Sequence, residues 1–283
     1  TSQSRYELTA ELGSGRTGTV YRALDRELGF DVALKVFHPH VRQTDCDDAL
    51  LRALHEARLL SAARHPGIVA LYSVEGDELS PAGQLPLLAM ELCRGGSLRS
   101  RLQKGPLSVE VALARAVELL DTLADLHAGG VAHGDLKPEN LLFRGDGRCR
   151  QLLPDEERAL GDLVIADFGL SRHLTGQGGV GMGTFGYLAW ERYLGGPPSP
   201  SADVFSCGVV LLEMLGCGAL PVGDPPKLAA DTGTRWLSSV DLSRLGPREA
   251  ALRAVASDLL STTATDRPSA VEAARRLRAL LPS

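Results

Sequence analysis

A chain of 283 residues is long enough to bury a sizeable core, as one large domain or as two lobes of unequal size. With 44% hydrophobic and 23% charged residues and a net charge of −5, it carries no basic field suited to nucleic acid, which argues against a polyanion-binding role. The five cysteines (Cys46, Cys93, Cys149, Cys207, Cys217) are scattered, odd in number and without Cys-x-x-Cys spacing, which argues against a disulfide framework or a zinc site and for the reduced thiols of a cytoplasmic protein.

The most apolar stretch, Phe205 to Leu215, is too short to span a bilayer and is interrupted by Glu213, so it reads as a buried core helix. No charged-then-apolar leader opens the chain and the first residue is Thr. The sequence therefore reads as a piece of something longer, with room for a flanking regulatory domain or a tether elsewhere. Only Lys35, Lys104, Lys137 and Lys227 are lysines among 30 basic residues. Where arginine is the default cation, a lysine hints that a compact point charge is needed at that place.

In chain order, Tyr6 to Leu12, Val20 to Ala23 and Val32 to Phe37 carry β-branched or aromatic residues with turn signals between them, and predict a meandering antiparallel sheet. Over 47 to 63 the period changes. Leu50, Leu54, Ala57 and Leu60 recur at helical spacing behind Asp47 and Asp48, which predicts one amphipathic helix. Extended runs follow at Ile68 to Val74 and Leu87 to Glu91. Arg94-Gly95-Gly96-Ser97 then breaks the pattern, so a first lobe ends at about Leu92 and a second runs from Cys93 to Ser283.

Beyond that break the chain reads as mostly helical. Val109, Ala112, Ala116, Leu119, Leu123 and Leu126 repeat every three or four residues, between Ser108 as a start and Gly129-Gly130 as a stop. Residues 145 to 161 are polar and read as a long surface loop or insertion, and residues 176 to 183 hold five glycines in eight. Near the end, Ser269 to Glu272 has capping-box spacing, and Ala270, Ala274, Leu277 and Leu281 form one apolar stripe of a last helix.

Several motifs carry chemistry. Gly13-Ser14-Gly15-Arg16-Thr17-Gly18-Thr19-Val20 fits G-x-G-x-x-G-x-V, whose glycines let backbone N–H groups approach phosphates. A dinucleotide fingerprint opens into a helix, whereas Thr19-Val20-Tyr21 continues as a strand, so these glycines form a flap between two strands. Val32-Ala33-Leu34-Lys35 follows, and an alternating strand puts Ala33 and Lys35 on one face. Glu56, on the amphipathic helix, is placed to meet Lys35 and hold its ammonium against α- and β-phosphates.

His133-Gly134-Asp135-Leu136-Lys137-Pro138-Glu139-Asn140, followed by Asp167-Phe168-Gly169, is the strongest signal. Phosphoryl transfer needs a carboxylate near the attacking hydroxyl, a cation for the transferring group and oxygen ligands for Mg²⁺. Asp135 fits the base or hydroxyl-orienting role, Lys137 the cation, and Asn140 with Asp167 the metal ligands.

With these motifs on hand, the sequence resembles the eukaryotic-type protein kinase family from Tyr6 to about Leu281, in a form suggestive of a bacterium, and Lys-Pro-Glu-Asn resembles its Ser/Thr branch. The resemblance implies a bilobal α+β fold: a small antiparallel sheet with one helix, then a larger helical lobe, with ATP and Mg²⁺ (Mn²⁺ as a substitute) in the cleft between them. It also implies that Met90 is the gatekeeper, that the Glu91 carbonyl and the Cys93 amide contact adenine, and that Ser97 lies near the ribose. Val20, Ala33 and Leu142 would sandwich the base. Leu60, Leu71, His133 and Phe168 would form a hydrophobic spine anchored by Asp203. Thr184 would hydrogen-bond Asp135 and Lys137, and Glu191 would pair with Arg267.

Three departures stand out. Gly134 replaces the arginine that precedes the catalytic aspartate and receives a loop phosphate; with Thr175 the only hydroxyl between Arg172 and Thr184, loop phosphorylation is not expected to be the main switch. Trp190 replaces the proline of an Ala-Pro-Glu element, and the 145 to 161 segment lengthens the path from Asn140 to Asp167. The expected function is transfer of the ATP γ-phosphate to Ser or Thr of a protein substrate, with a dimer partner or flanking domain as a source of control. A small-molecule phosphotransferase, which also writes His-Gly-Asp, and a non-catalytic pseudokinase scaffold stand as alternatives.

Overall fold

The computed structural model describes residues 5–15, 18–38, 65–75, 87–147, 153–168, 172–173, 184, 186–217 and 248–282. The chain divides into two compact units, one of Thr1–Arg94 with Asp167–Gly169, the other of Gly95–Ala166 with Leu170–Ser283.

The first unit is built on five antiparallel strands: β1 (Tyr6–Ser14), β2 (Gly18–Asp25), β3 (Phe30–Phe37), β4 (Leu71–Glu75) and β5 (Leu87–Met90), in the order β1-β2-β3-β5-β4. Alternation sorts the side chains. Tyr6, Ala23, Val32, Leu34 and Ala89 form the core on one face, with Val36 and Leu87 packed against it. On β3 that assigns Ala33, Lys35 and Phe37 to the opposite face. The β2–β3 turn is fixed by Asp25, fully buried, whose carboxylate accepts from Arg5 Nη2 at 2.7 Å and from the N–H groups of Glu27 and Leu28 at 2.9 and 3.1 Å. Arg5 holds that carboxyl well below the usual range, helped by the two backbone donors. The helix expected over 47 to 63, with Glu56 and Leu60, lies outside the described residues.

The second unit opens with β6 (Gly96–Ser97), α1 (Leu98–Leu102) and α2 (Val109–Ala128). Ser108 Oγ caps α2 by accepting from Val111 N–H, and Gly130 beyond its end takes φ +74°, which glycine adopts without strain. The start and stop read from the sequence are those of the helix. After β7 (Val131–Ala132) comes a turn of 3-10 helix at Pro138–Asn140, then β8 (Leu141–Phe143), α3 (Asp155–Ala159), β9 (Leu163–Ile165) and β10 (Arg172–His173), which pairs with β7. The later helices are α4 (Trp190–Tyr193), α5 (Pro200–Met214), α6 (Arg248–Leu259) and α7 (Ala270–Arg278).

α2 packs against α5 and α7, and α5 is buried along almost its whole length, as its apolar sequence predicts. Each fully buried Leu or Val there contributes about 1.5–3 kcal/mol relative to exposure. Two expectations are corrected. Segment 145 to 161 is not loop throughout, because it contains α3. On α7 the apolar stripe ends on Leu280, not Leu281: the helix stops at Arg278, so the helical period no longer governs the next turn. Among the described residues no helix is long and apolar enough to cross a membrane.

Candidate active site

In the first unit the flap is the β1–β2 hairpin. Gly15 N–H donates to Gly18 C=O at 2.9 Å, and Gly13 pairs with Val20; Arg16 and Thr17 lie outside the described residues. The three glycines are not equivalent. A Cβ on Gly18 would sit 2.4 Å from the Val36 carbonyl oxygen, so the approach of β3 itself requires glycine there. A Cβ on Gly13 meets nothing within 4 Å, and one on Gly15 only Gly18 O at 4.0 Å. Gly18→Ala is therefore expected to destabilise the sheet by about 1–3 kcal/mol, as overpacking does. Gly13→Ala should melt as the wild type does while raising KM for ATP, a contrast read by thermal unfolding beside initial rates.

Lys35 pairs with Val20 and Leu88 across the sheet, and Ala33 pairs with Met90. Its ammonium is buried and donates to Asp167 Oδ1 at 2.8 Å, 5.1 Å from the Phe37 ring centroid. Asp167 has φ +60°, a left-handed conformation uncommon for any residue but glycine. Phe168 beside it is fully buried. After β5, Glu91 N–H donates to Ala70 C=O at 2.8 Å, which fixes the start of the segment through Cys93.

In the second unit Ser97 Oγ caps α1, accepting from Ser100 N–H at 3.2 Å. Leu142, half-buried, lies on the opposite face of β8 from the fully buried Leu141 and Phe143. The catalytic-loop residues close on one another. Lys137 Nζ donates to Asp135 Oδ2 at 2.7 Å and to Thr184 Oγ1 at 2.6 Å. Thr184 gives its N–H and its O–H to Asp135 Oδ1 at 2.8 and 2.9 Å. Asn140 Nδ2 donates to the Asp135 carbonyl at 2.9 Å, which leaves its Oδ1 as the oxygen available to a cation. Asn140 Nδ2 also donates to Asp135 Oδ2 at 3.3 Å, so one carboxylate is aimed by four donors.

The backbone of this loop hangs on Asp203 of α5, a buried side chain. Its Oδ2 accepts from His133 N–H and its Oδ1 from Gly134 N–H, both at 2.8 Å, and His127 Nε2 lies 3.0 Å from Oδ2. Gly134 takes φ +80°, so glycine meets a left-handed turn here without strain. His133 Nδ1 accepts from Asp135 N–H, which puts the ring proton on Nε2, donated to Ala166 C=O at 3.1 Å.

Glu191 and Arg267 form a two-pronged pair at 2.7 and 3.0 Å, and Arg267 also donates to the carbonyls of Ser201 and Ser261. A further network escaped the sequence reading. Tyr187 O–H donates to Glu213 Oε2 at 2.6 Å; Arg99 donates to the phenolic Oη of Tyr187 at 2.6 Å, to Glu139 at 2.7 Å and to Glu213 Oε1. Burial, then the Glu213 carboxylate, pushes the Tyr187 phenol far up, so it stays a donor. Glu213 in an apolar helix was the available signal, since a buried carboxylate must find partners.

A two-unit fold with a glycine flap, a buried lysine on the third strand and an aspartate aimed by Lys, Thr and Asn defines a class: the chain belongs to the protein kinase domain family, whose model matches residues 6–276. It is similar to serine/threonine-protein kinase PknL of Mycobacterium tuberculosis, 37% identical over 217 residues that make up 75% of this chain and 49% of that protein. It is also similar to the DNA damage-responsive serine/threonine-protein kinase RqkA of Deinococcus radiodurans, 36% identical over 229 residues, 78% of this chain and 31% of the relative. Serine/threonine-protein kinase PknA of Mycobacterium tuberculosis is 32% identical over 249 residues, 82% of this chain and 54% of the relative. The chain spans about half the length of these relatives, or less.

Proposed function

We propose that this domain transfers the γ-phosphate of ATP to Ser or Thr hydroxyls of protein substrates. The observation that carries this reading is the closed set of hydrogen bonds joining Asp135, Lys137, Thr184 and Asn140. Asp135 orients the acceptor hydroxyl and takes its proton as the new O–P bond forms and the bond from the γ-phosphorus to the β–γ bridging oxygen breaks, releasing ADP. Lys137 meets the charge on the transferring group. Lys35 holds the α- and β-phosphates with Glu56 as its further partner, and Gly13, Gly15 and Gly18 give the flap's N–H groups access to phosphate oxygens. Met90, Glu91, Cys93, Val20, Ala33 and Leu142 shape and read the adenine site. Ser97, whose oxygen is taken as a helix cap, offers the ribose its O–H.

Protein kinases work with ATP and a divalent cation, here proposed to be Mg²⁺ with Mn²⁺ as a substitute. The carboxylate of Asp167 and the amide oxygen of Asn140 are the hard oxygen donors such a cation takes, with phosphate oxygens completing the set. When bound, the cation neutralises charge on the β- and γ-phosphates.

Control is proposed to come from a dimer partner or a flanking domain of a cytoplasmic assembly, and not from a loop phosphate. Gly134 has no side chain to bind one. Phosphatase-treated protein and Thr175→Ala are each expected to keep at least about half of the wild-type rate; loss of activity in both, reversed by phosphate on Thr175, would refute this.

The direct test of the function incubates the purified domain with labelled ATP and Mg²⁺, alone and with a generic protein acceptor, beside an Asp135→Asn control. Phosphoserine or phosphothreonine appearing only in the wild type is the expected result. Labelling of small molecules but never of protein would mark a small-molecule phosphotransferase, and no labelling a pseudokinase.

A further inference from the structure

Arg115 sits in the middle of α2 with 0% exposure, among alanines and leucines. A buried cation is costly unless its donors are matched. Nη1 donates to Glu118 Oε2 at 2.9 Å and to the Gly161 carbonyl at 3.0 Å, and Nη2 donates to the Glu157 carbonyl at 2.8 Å. The guanidinium lies 4.9 Å above the Phe143 ring. Two of its acceptors thus come from the segment between β8 and β9 that the sequence presents as a surface insertion. That segment is tied down further: Arg101 donates to Glu157 Oε1 at 2.7 Å, and Gly145 N–H to Leu160 C=O at 2.7 Å.

The other side of the pair leads toward the catalytic loop. Glu118, also buried, accepts through Oε1 from the N–H of Leu163, the first residue of β9, at 2.9 Å. Burial pushes the Glu118 carboxyl up and Arg115 opposes it, so the acceptor strength of Glu118 depends on its neighbour. Just past β9, Ala166 N–H donates to Asn140 C=O at 2.9 Å while Ala166 C=O receives His133 Nε2 at 3.1 Å.

We propose that Arg115, held by the 153–161 segment, is a positioning residue: through Glu118 and β9 it sets the place of Ala166, and with it that of Asn140. The proposal rests on the reading of Asn140 as a cation ligand. It makes the insertion an internal brace of the site.

The test compares Arg115→Met, Arg115→Lys and the double variant Arg115→Met/Glu118→Leu. The single Met variant strands a buried carboxylate and is expected to lose stability, whereas the double variant removes that carboxylate and should recover part of the loss, stopping short of the wild-type melting midpoint because the Leu163 N–H loses its acceptor. If the pair positions the site, the double variant still exchanges the Leu163 and Ala166 amides about tenfold faster or more than wild type. It also needs about tenfold more Mg²⁺ for half-maximal rate, at unchanged KM for the acceptor, as loss of groups behind a metal ligand does. Arg115→Lys, which keeps the cation, should stay within about threefold of wild type in Mg²⁺ requirement. A double variant with wild-type exchange at Ala166, or with a wild-type Mg²⁺ requirement, overturns the proposal. Should the wild type transfer no phosphate at all, the kinase reading fails, and the exchange rates of the same three proteins alone decide whether Arg115 holds Ala166.

Discussion

Asp135→Asn is expected to lower kcat by about 10²- to 10⁴-fold, the span for removal of a positioned acid or base. The substitution is nearly isosteric, and its Oδ1 still accepts from the N–H and O–H of Thr184, the contacts of 2.8 and 2.9 Å in the wild type. What changes is the other edge. An amide nitrogen there faces Lys137 Nζ, a donor that sits 2.7 Å from Oδ2 in the wild type, and it has no lone pair for a substrate proton. The flap and Lys35 are untouched, so KM for ATP should stay within about threefold. Steady-state rates with varied ATP check the split. A variant as active as the wild type would remove Asp135 from the chemistry.

Asp203→Ala is expected to have the largest effect on stability, about 2–6 kcal/mol, because it strands two buried N–H groups at about 1–3 kcal/mol each. Those donors are His133 and Gly134, and the carboxylate they share also meets His127. Asp203→Asn keeps one acceptor but turns its amide group toward the second donor, so its cost should fall between those of the wild type and the alanine variant. Urea unfolding reads both, as a lower midpoint at unchanged slope. Because Asp203 acts on the loop backbone, activity should fall with it even though its side chain touches no reacting group. A midpoint unchanged in Asp203→Ala would mean that other contacts hold the loop.

What the sequence made legible follows from the range over which each signal acts. The hairpin of β1 and β2, the start of α2 at Ser108 and its stop at Gly129-Gly130 are local, set by capping and turn chemistry within a few residues. The grouping of Asp135, Lys137 and Asn140 was readable because several chemically committed types stand at fixed spacing. Thr184, distant in sequence, was placed against Asp135 by family resemblance and lies there in the structure.

Long-range partners of buried charges outside the family motifs were not readable. Arg115 looks like any helical arginine until α3 and the turn after it bring it the carbonyls of Glu157 and Gly161, and Glu213 looks like a break in an apolar run until Tyr187 and Arg99 reach it. Leu280 was missed for a smaller reason, since the periodicity was extended past the last helical residue. The pairing of Lys35 with Glu56 lies outside the described residues, whereas its bond to Asp167 is within them.

The unequal standing of the flap glycines also bears on how this sequence can drift. Gly18 is held by the Val36 carbonyl at 2.4 Å from its would-be Cβ, so any descendant that keeps the sheet keeps that glycine, whether or not it still turns over nucleotide. A Cβ on Gly13 would meet nothing within 4 Å, so the phosphate contact proposed for it is what would give selection a reason to preserve it. In a lineage that abandoned catalysis, Gly13 should decay first and Gly18 last, so the order of their loss would date the change from enzyme to scaffold.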